Sequence, residues 1–199
     1  VGAGSFRTVV VPEEDKDFVV KILRFSERES FMNKVEKLLG DQYPDVFPRV
    51  FAHDPDYRWI VMDRVQPIST RNEELLVEAM VATMPKLYEY AYDLLSLDDG
   101  MPSSDTKPFA LFNYIVMAAA PRLRPTELPY GDNTRRMERI SKIQEFGLAN
   151  EPWFTQLSKA MKRYGVQWND LAEGNVGIDM KDSTLKIIDA SVFSDISGE

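Results

Sequence analysis

Near residue 65 the hydrophobic periodicity changes, and this constrains the fold more than any other feature of the sequence. Before that point the apolar residues fall in short β-branched runs; after it they recur at helical spacing. Thr8-Val9-Val10-Val11 and Phe18-Val19-Val20-Lys21-Ile22 flank the turn Pro12 to Asp17 and predict a hairpin. Ser26 with Glu29 reads as a capping box. A helix of about thirteen residues is expected to follow, with Phe31, Val35, Leu38 and Leu39 as its apolar stripe and Gly40 as its stop. Arg49 to Ala52 and Arg58 to Met62 read as strands around Asp54-Pro55-Asp56.

Beyond residue 65, Leu76, Met80, Met84, Leu87, Ala91 and Leu94 predict helix from Glu73 to about Leu97, with a break near Met84 because Pro85 follows. Asp98 to Ser104 is a loop, and Phe109 to Ala119 is a short apolar helix. A further helix runs from a cap at Asp132 or Asn133 through Phe146, and another spans Trp153 to Tyr164 and ends at Gly165. Val176-Gly177-Ile178 and Leu185-Lys186-Ile187-Ile188 predict a closing hairpin over Lys181-Asp182-Ser183. The expected plan is α+β: a strand-rich N-terminal lobe at 1–65 with one helix, and a mainly helical C-terminal lobe at 66–199. A groove between such lobes is a natural ligand site.

Composition removes several chemistries. There is no Cys, so disulfides, thiolate zinc sites and Cys nucleophiles are excluded, and the single His53 leaves no histidine cluster for a metal. A formal net charge of −8 gives no clear nucleic-acid signal. No run reaches the roughly 20 apolar residues of a membrane span. With no signal-peptide layout at the start, a cytoplasmic setting is expected. Val1 is not an initiator Met, which leaves open a natural N-terminal portion ahead of it.

What remains is carboxylate, lysine, amide and backbone chemistry. Gly2-Ala3-Gly4-Ser5-Phe6 precedes a strand, where glycines let backbone N–H groups approach a phosphate or simply turn the chain. Lys21 lies among β-branched neighbours and is either an edge gatekeeper or a paired functional cation. For the second role Glu36 is the first-choice partner and Glu29 the second. Trp168-Asn169-Asp170-Leu171-Ala172-Glu173-Gly174-Asn175 gathers oxygen donors in one loop, and Asp189 follows the last strand. The closing hairpin brings Asn175 and Asp189 together, and oxygen ligands without His or Cys suit Mg²⁺.

In order along the chain, these segments resemble the protein-kinase-like superfamily. Gly2 to Val9 is similar to its glycine loop, Phe18 to Lys21 to its lysine strand, Trp59 to Val65 to its strand-to-hinge passage, Asp170 and Asn175 to its catalytic loop, and Ile188 to Ser191 to its metal-binding Asp segment. The resemblance implies a two-lobed kinase fold with a reduced C-terminal lobe. Gly2, Gly4, Ser5, Phe6, Arg7 and Val9 would cover the phosphates of ATP. Lys21 would hold the α/β-phosphates and pair with Glu36. Met62, Asp63 and Val65 would line the adenine site, Asn175 and Asp189 would bind Mg²⁺, and Asp170 would take the proton of an acceptor hydroxyl.

Several positions depart from the pattern. Arg7 replaces the third glycine, Trp168 the loop His, Ala172 the lysine common in Ser/Thr protein kinases, and Ala190-Ser191 the usual Phe-Gly. Gly174-Asn175 is closer to aminoglycoside and choline phosphotransferases. Ten residues follow Asp189, which suits a compact bacterial or phage member of the superfamily or a chain of which part lies elsewhere. The expected activity is a Mg²⁺–ATP-dependent kinase acting on a hydroxyl of a small molecule or of a protein Ser/Thr. The alternative is an inactive pseudokinase, or a kinase-like protein that binds a protein partner, with the exposed face of the Leu76 to Leu94 helix as a docking surface.

Overall fold

The computed structural model describes residues 2–3, 7–24, 27–69, 72–96, 107–121, 133–167, 171 and 174–189. Gly4, Ser5, Phe6, the Ser26 cap, the 98–104 loop, Asp132, Trp168, Asn169, Asp170, Ala172, Glu173, Ala190 and Ser191 lie outside the described residues.

The chain runs β1 (Gly2–Ala3), β2 (Arg7–Val10), β3 (Phe18–Leu23), α1 (Glu27–Gln42), β4 (Val50–His53), β5 (Trp59–Asp63), β6 (Val65–Pro67), α2 (Glu73–Thr83), α3 (Pro85–Ser96), α4 (Pro108–Ala119), α5 (Asn133–Asn150), α6 (Pro152–Tyr164), β7 (Val176–Asp179) and β8 (Leu185–Ile187). It is an α+β fold. An antiparallel sheet of order β1-β2-β3-β5-β4 carries α1, and a largely helical C-terminal region carries a three-stranded sheet of order β6-β7-β8.

Strand β3 is interior, pairing Val9↔Lys21 on one side and Lys21↔Ile60 on the other. Lys21 is therefore not an edge gatekeeper. Alternation along the strand then separates the two faces of the sheet. Lys21, Ile60 and Met62 are buried on the face that α1 covers, whereas the cross-strand pair Ile22 and Trp59 on the other face is exposed. Among the described residues the buried apolar side chains of this sheet are few: Val50, Ile60 and Met62 form a small core of their own.

Helix α1 joins the two regions. Val35 and Leu39, spaced i,i+4, belong to the large core built by the C-terminal helices, while Asn33 and Glu36 are buried polar residues of the same helix. Gly40 does not end the helix, which continues to Gln42. A Cβ at Gly40 would stand 2.3 Å from the carbonyl oxygen of Pro48, so the glycine is set by close backbone approach rather than by a stop.

The break before Pro85 falls as its missing N–H requires, with Met84 between α2 and α3. Glu151, itself buried, caps α3 from a distance: its Oε1 accepts the amides of Lys86 at 2.9 Å and Leu87 at 3.1 Å. Helix α4 is apolar around most of its circumference and lies inside the core. Helix α5 runs past Phe146 to Asn150. Helix α6 ends at Gly165, whose φ of 66° gives the left-handed cap.

Strand β6 is too short and too polar to show alternation. It leaves the first sheet one residue after β5 and pairs Val65↔Asp179 and Pro67↔Gly177 with β7. The second sheet is fastened by Ile68 N–H to Val176 O (2.9 Å), by Ile187 N–H to Val46 O (2.8 Å), and by the Trp153 indole N–H to Leu185 O (3.0 Å).

Candidate functional site

The site is built where β3, α1 and the end of β8 converge. Lys21 projects from the centre of the first sheet onto α1, and its Nζ donates to Glu36 Oε2 at 2.8 Å. The same ammonium donates to the backbone carbonyl of Ile188 at 2.7 Å. An ammonium has three N–H donors, so one is left without a partner among the described residues. The first-choice pairing of Lys21 with Glu36 is the one observed.

The β7–β8 hairpin sets the other wall. Val176 pairs with Ile187, and Ile188 N–H donates to the carbonyl of Asn175 at 2.9 Å. Asn175 and Asp189 therefore flank the open end of one hairpin, beside the carbonyl that Lys21 engages. Asp189 is the most accessible member of the group, its side chain 48% exposed, against 8% for Glu36 and 9% for Lys21.

Arg7, at the start of β2, completes the cluster. Its guanidinium donates to Asn33 Oδ1 at 3.3 Å, to Glu36 Oε1, and to Asp189 Oδ1 at 2.5 Å. Asn33 is fully buried, and its amide is fixed by donation to Tyr57 O at 2.7 Å. Burial works against the guanidinium charge, but the Glu36 and Asp189 carboxylates outweigh it and hold the Arg7 pKa above its ordinary value. Arg7 and Lys21 supply two positive charges, Glu36 and Asp189 two negative ones. Each oxygen of Glu36 serves one cation.

A cavity of about 10 Å³, the size that holds one water molecule, adjoins the cluster. Its walls include Glu36, Leu39, Met62, Ile188 and Asp189. Met62 thus reaches the cluster from near the end of β5. Asp63 and Val65 are engaged elsewhere. Asp63 donates its amide to Arg49 O at 3.0 Å, and its Oδ1 pairs with Lys181 Nζ at 2.8 Å. The Arg64 amide donates to Asp17 O at 2.9 Å, and Val65 pairs with Asp179. The amide donors of residues 63 and 64 are thereby spent within the protein. Gly2 lies opposite Val9 in β1, and Val9 lies opposite Lys21.

His53 is absorbed by a turn: its ring stacks on Tyr57 with centroids 4.3 Å apart, and Nδ1 lies 2.8 Å from Asp54 O. Among the described residues, no group of three His, Cys, Asp or Glu is arranged to hold a metal ion. Also among them, no helix is long and apolar enough to cross a membrane.

Sequence reasoning missed Asn33. The signal was available: it stands three residues before Glu36, so the two share a helix face. The bridging role of Arg7 has no such signal; the family resemblance implies only that it covers phosphate. No family model matches the chain, and none of the curated proteins matches it.

Proposed function

We propose that this chain is an ATP-dependent phosphotransferase of protein-kinase-like, two-lobed architecture, acting on a hydroxyl of a small molecule or of a protein Ser/Thr. One observation carries the reading: a buried lysine on an interior strand pairs with a helix carboxylate, and its ammonium lies against the carbonyl that precedes Asp189. Hydrogen-bonded this way, Lys21 is held in one place with one N–H unassigned among the described residues, which suits a phosphate ligand.

The donor set fits the group. Asn175 and Asp189 are hard oxygen donors, and Mg²⁺ is usually held by only one or two carboxylates together with phosphate oxygens and water. When bound, Mg²⁺–ATP would supply the γ-phosphoryl group and neutralise the charge developing on it. The protein's own residues divide the remaining work. Glu36 positions Lys21, Lys21 would hold phosphate oxygens, and Asn175 with Asp189 would hold the metal. Asp170, outside the described residues, would take the proton of the acceptor hydroxyl.

A second reading, a kinase-like protein without turnover, is favoured by the Arg7 bridge, which occupies both Glu36 and Asp189.

Calorimetric titration of ATP with and without Mg²⁺ tests binding; no binding under either condition overturns both the enzyme and the nucleotide-binding version of the second reading. Phosphoryl transfer is then compared with Asp170→Asn and Asp189→Asn. Loss of transfer with ATP binding retained in Asp170→Asn supports the enzyme. Binding without transfer to any acceptor in the parent chain favours the second reading.

A further inference from the structure

We infer that Arg7 is an internal counter-ion that competes with a divalent cation for Asp189, so that loading of the site requires one arm of the guanidinium to let go. The inference deepens the phosphotransferase reading and rests on it for the identity of the phosphate ligand.

Three observations carry it. The first is charge. Without Arg7, the cluster of Lys21, Glu36 and Asp189 holds two carboxylates and one ammonium. With Arg7 the four charges balance with no metal. The second is direction. An arginine that serves a phosphate presents its terminal nitrogens to the ligand, yet here both terminal nitrogens of Arg7 are on protein acceptors, NH1 on Asn33 and Glu36 and NH2 on Asp189. Asn33 is itself locked by Tyr57 O, so the guanidinium is aimed before any ligand arrives.

The third observation is the asymmetry of the two ends. The end on Asn33 and Glu36 is deeply buried, whereas the Asp189 side chain is 48% exposed. A half-exposed ion pair is screened by water and is the weaker attachment. A dication at that carboxylate has twice the charge of the guanidinium and is built for oxygen ligands. The end at Asp189 therefore opens while Arg7 stays on Glu36. Metal demand and nucleotide affinity become linked through one side chain, because the free energy of breaking the Arg7–Asp189 contact is subtracted from metal-dependent binding.

Equality of two independently measured numbers tests the linkage. Urea unfolding of the parent, Arg7→Gln, Asp189→Asn and the double variant gives the Arg7–Asp189 coupling, expected to be about fivefold in the unfolding constant at low salt. Calorimetric titration with ATP, in Mg²⁺ and in EDTA, gives the second number. The ratio of ATP affinity in Mg²⁺ to ATP affinity in EDTA is expected to be about fivefold higher for Arg7→Gln than for the parent. Arg7→Lys, which keeps the charge but cannot fork, serves where Arg7→Gln does not fold, and should fall between the two.

Absence of coupling overturns the inference whatever the nucleotide does. If the parent binds Mg²⁺–ATP and neither variant raises the Mg²⁺-to-EDTA affinity ratio, the inference falls and the phosphotransferase reading stands. Weaker ATP binding by Arg7→Gln in both buffers makes Arg7 a phosphate ligand and also overturns it. If no form binds ATP in either buffer, both fall together.

Discussion

Glu36→Gln is the substitution that most directly probes the buried cluster. Glu36 accepts from Arg7 on one oxygen and from Lys21 on the other, and all three side chains are close to nine-tenths buried. Glutamine keeps one acceptor oxygen but turns an NH₂ group toward the second cation, so one charge-assisted bond is weakened and the other is replaced by a donor facing a donor. Removing one partner of a buried ion pair costs 3–5 kcal/mol. The retained oxygen places this variant at the low end, about 3 kcal/mol, or about 6–12 °C in Tm for a chain of this size. Lys21→Met should cost less, about 1–2 kcal/mol, because Glu36 keeps Arg7 as its counter-ion. The assay is urea unfolding followed by far-ultraviolet circular dichroism, with m unchanged. A loss below about 1 kcal/mol for Glu36→Gln, the range of exposed pairs, or a larger loss for Lys21→Met than for Glu36→Gln, would refute the reasoning.

Three further outcomes are expected. Gly40→Ala should destabilise by about 1–3 kcal/mol in thermal unfolding, since the new methyl meets the Pro48 carbonyl; helix propensity alone predicts a gain, so the sign decides. Glu151→Ala should cost about 1–2 kcal/mol in urea unfolding, as for loss of a helix cap, while Glu151→Gln, which keeps an acceptor for Lys86 and Leu87, should cost less. Burial pushes the Asp54 carboxyl up, but hydrogen bonds from the Arg58 side chain and from the Arg58 and Trp59 amides outweigh it and hold its pKa below the ordinary aspartate value. A depressed folded-state pKa contributes stability that is present above the unfolded value and lost as pH falls below it. Asp54→Asn should therefore flatten the acid limb of an unfolding-versus-pH curve below about pH 4 and leave the neutral limb parallel to the parent's.

How much of this was legible in the sequence depended on where the partners lie. The β2–β3 hairpin, the break at Pro85, the cap at Gly165 and the β7–β8 hairpin follow from local rules that few tertiary contacts can override. Lys21 could be placed on a strand, but whether the strand was interior required its neighbour β5, which begins 36 residues after β3 ends. Gly40 was misread because its local signal, a glycine after an apolar stripe, is the same for a stop and for a close crossing; only the position of Pro48 separates them. Arg7 was the least legible. Its acceptors lie 26, 29 and 182 residues away, and a charged residue beside a glycine-rich turn is ordinarily solvated. Strand β6 carries Gln and Pro and owes its existence to β7.

The small core of Val50, Ile60 and Met62 has a consequence for how this molecule breathes. Among the described residues only three enclosed apolar side chains belong to this core, with Val19 and Tyr57 packed against it, so the cohesion of the sheet leans on the hydrogen-bond ladder, on α1 and on the charged contacts reaching Ile188 and Asp189. Regions with few enclosed apolar neighbours open before the whole chain unfolds. Amide exchange at Val9, Val20 and Lys21 should then follow the state of those charges, while amides of the apolar α4 helix exchange only by global unfolding. The sheet that presents the lysine is in this sense a separately loosened part, fastened to the rest by α1 and by the charged contacts of Arg7 and Lys21.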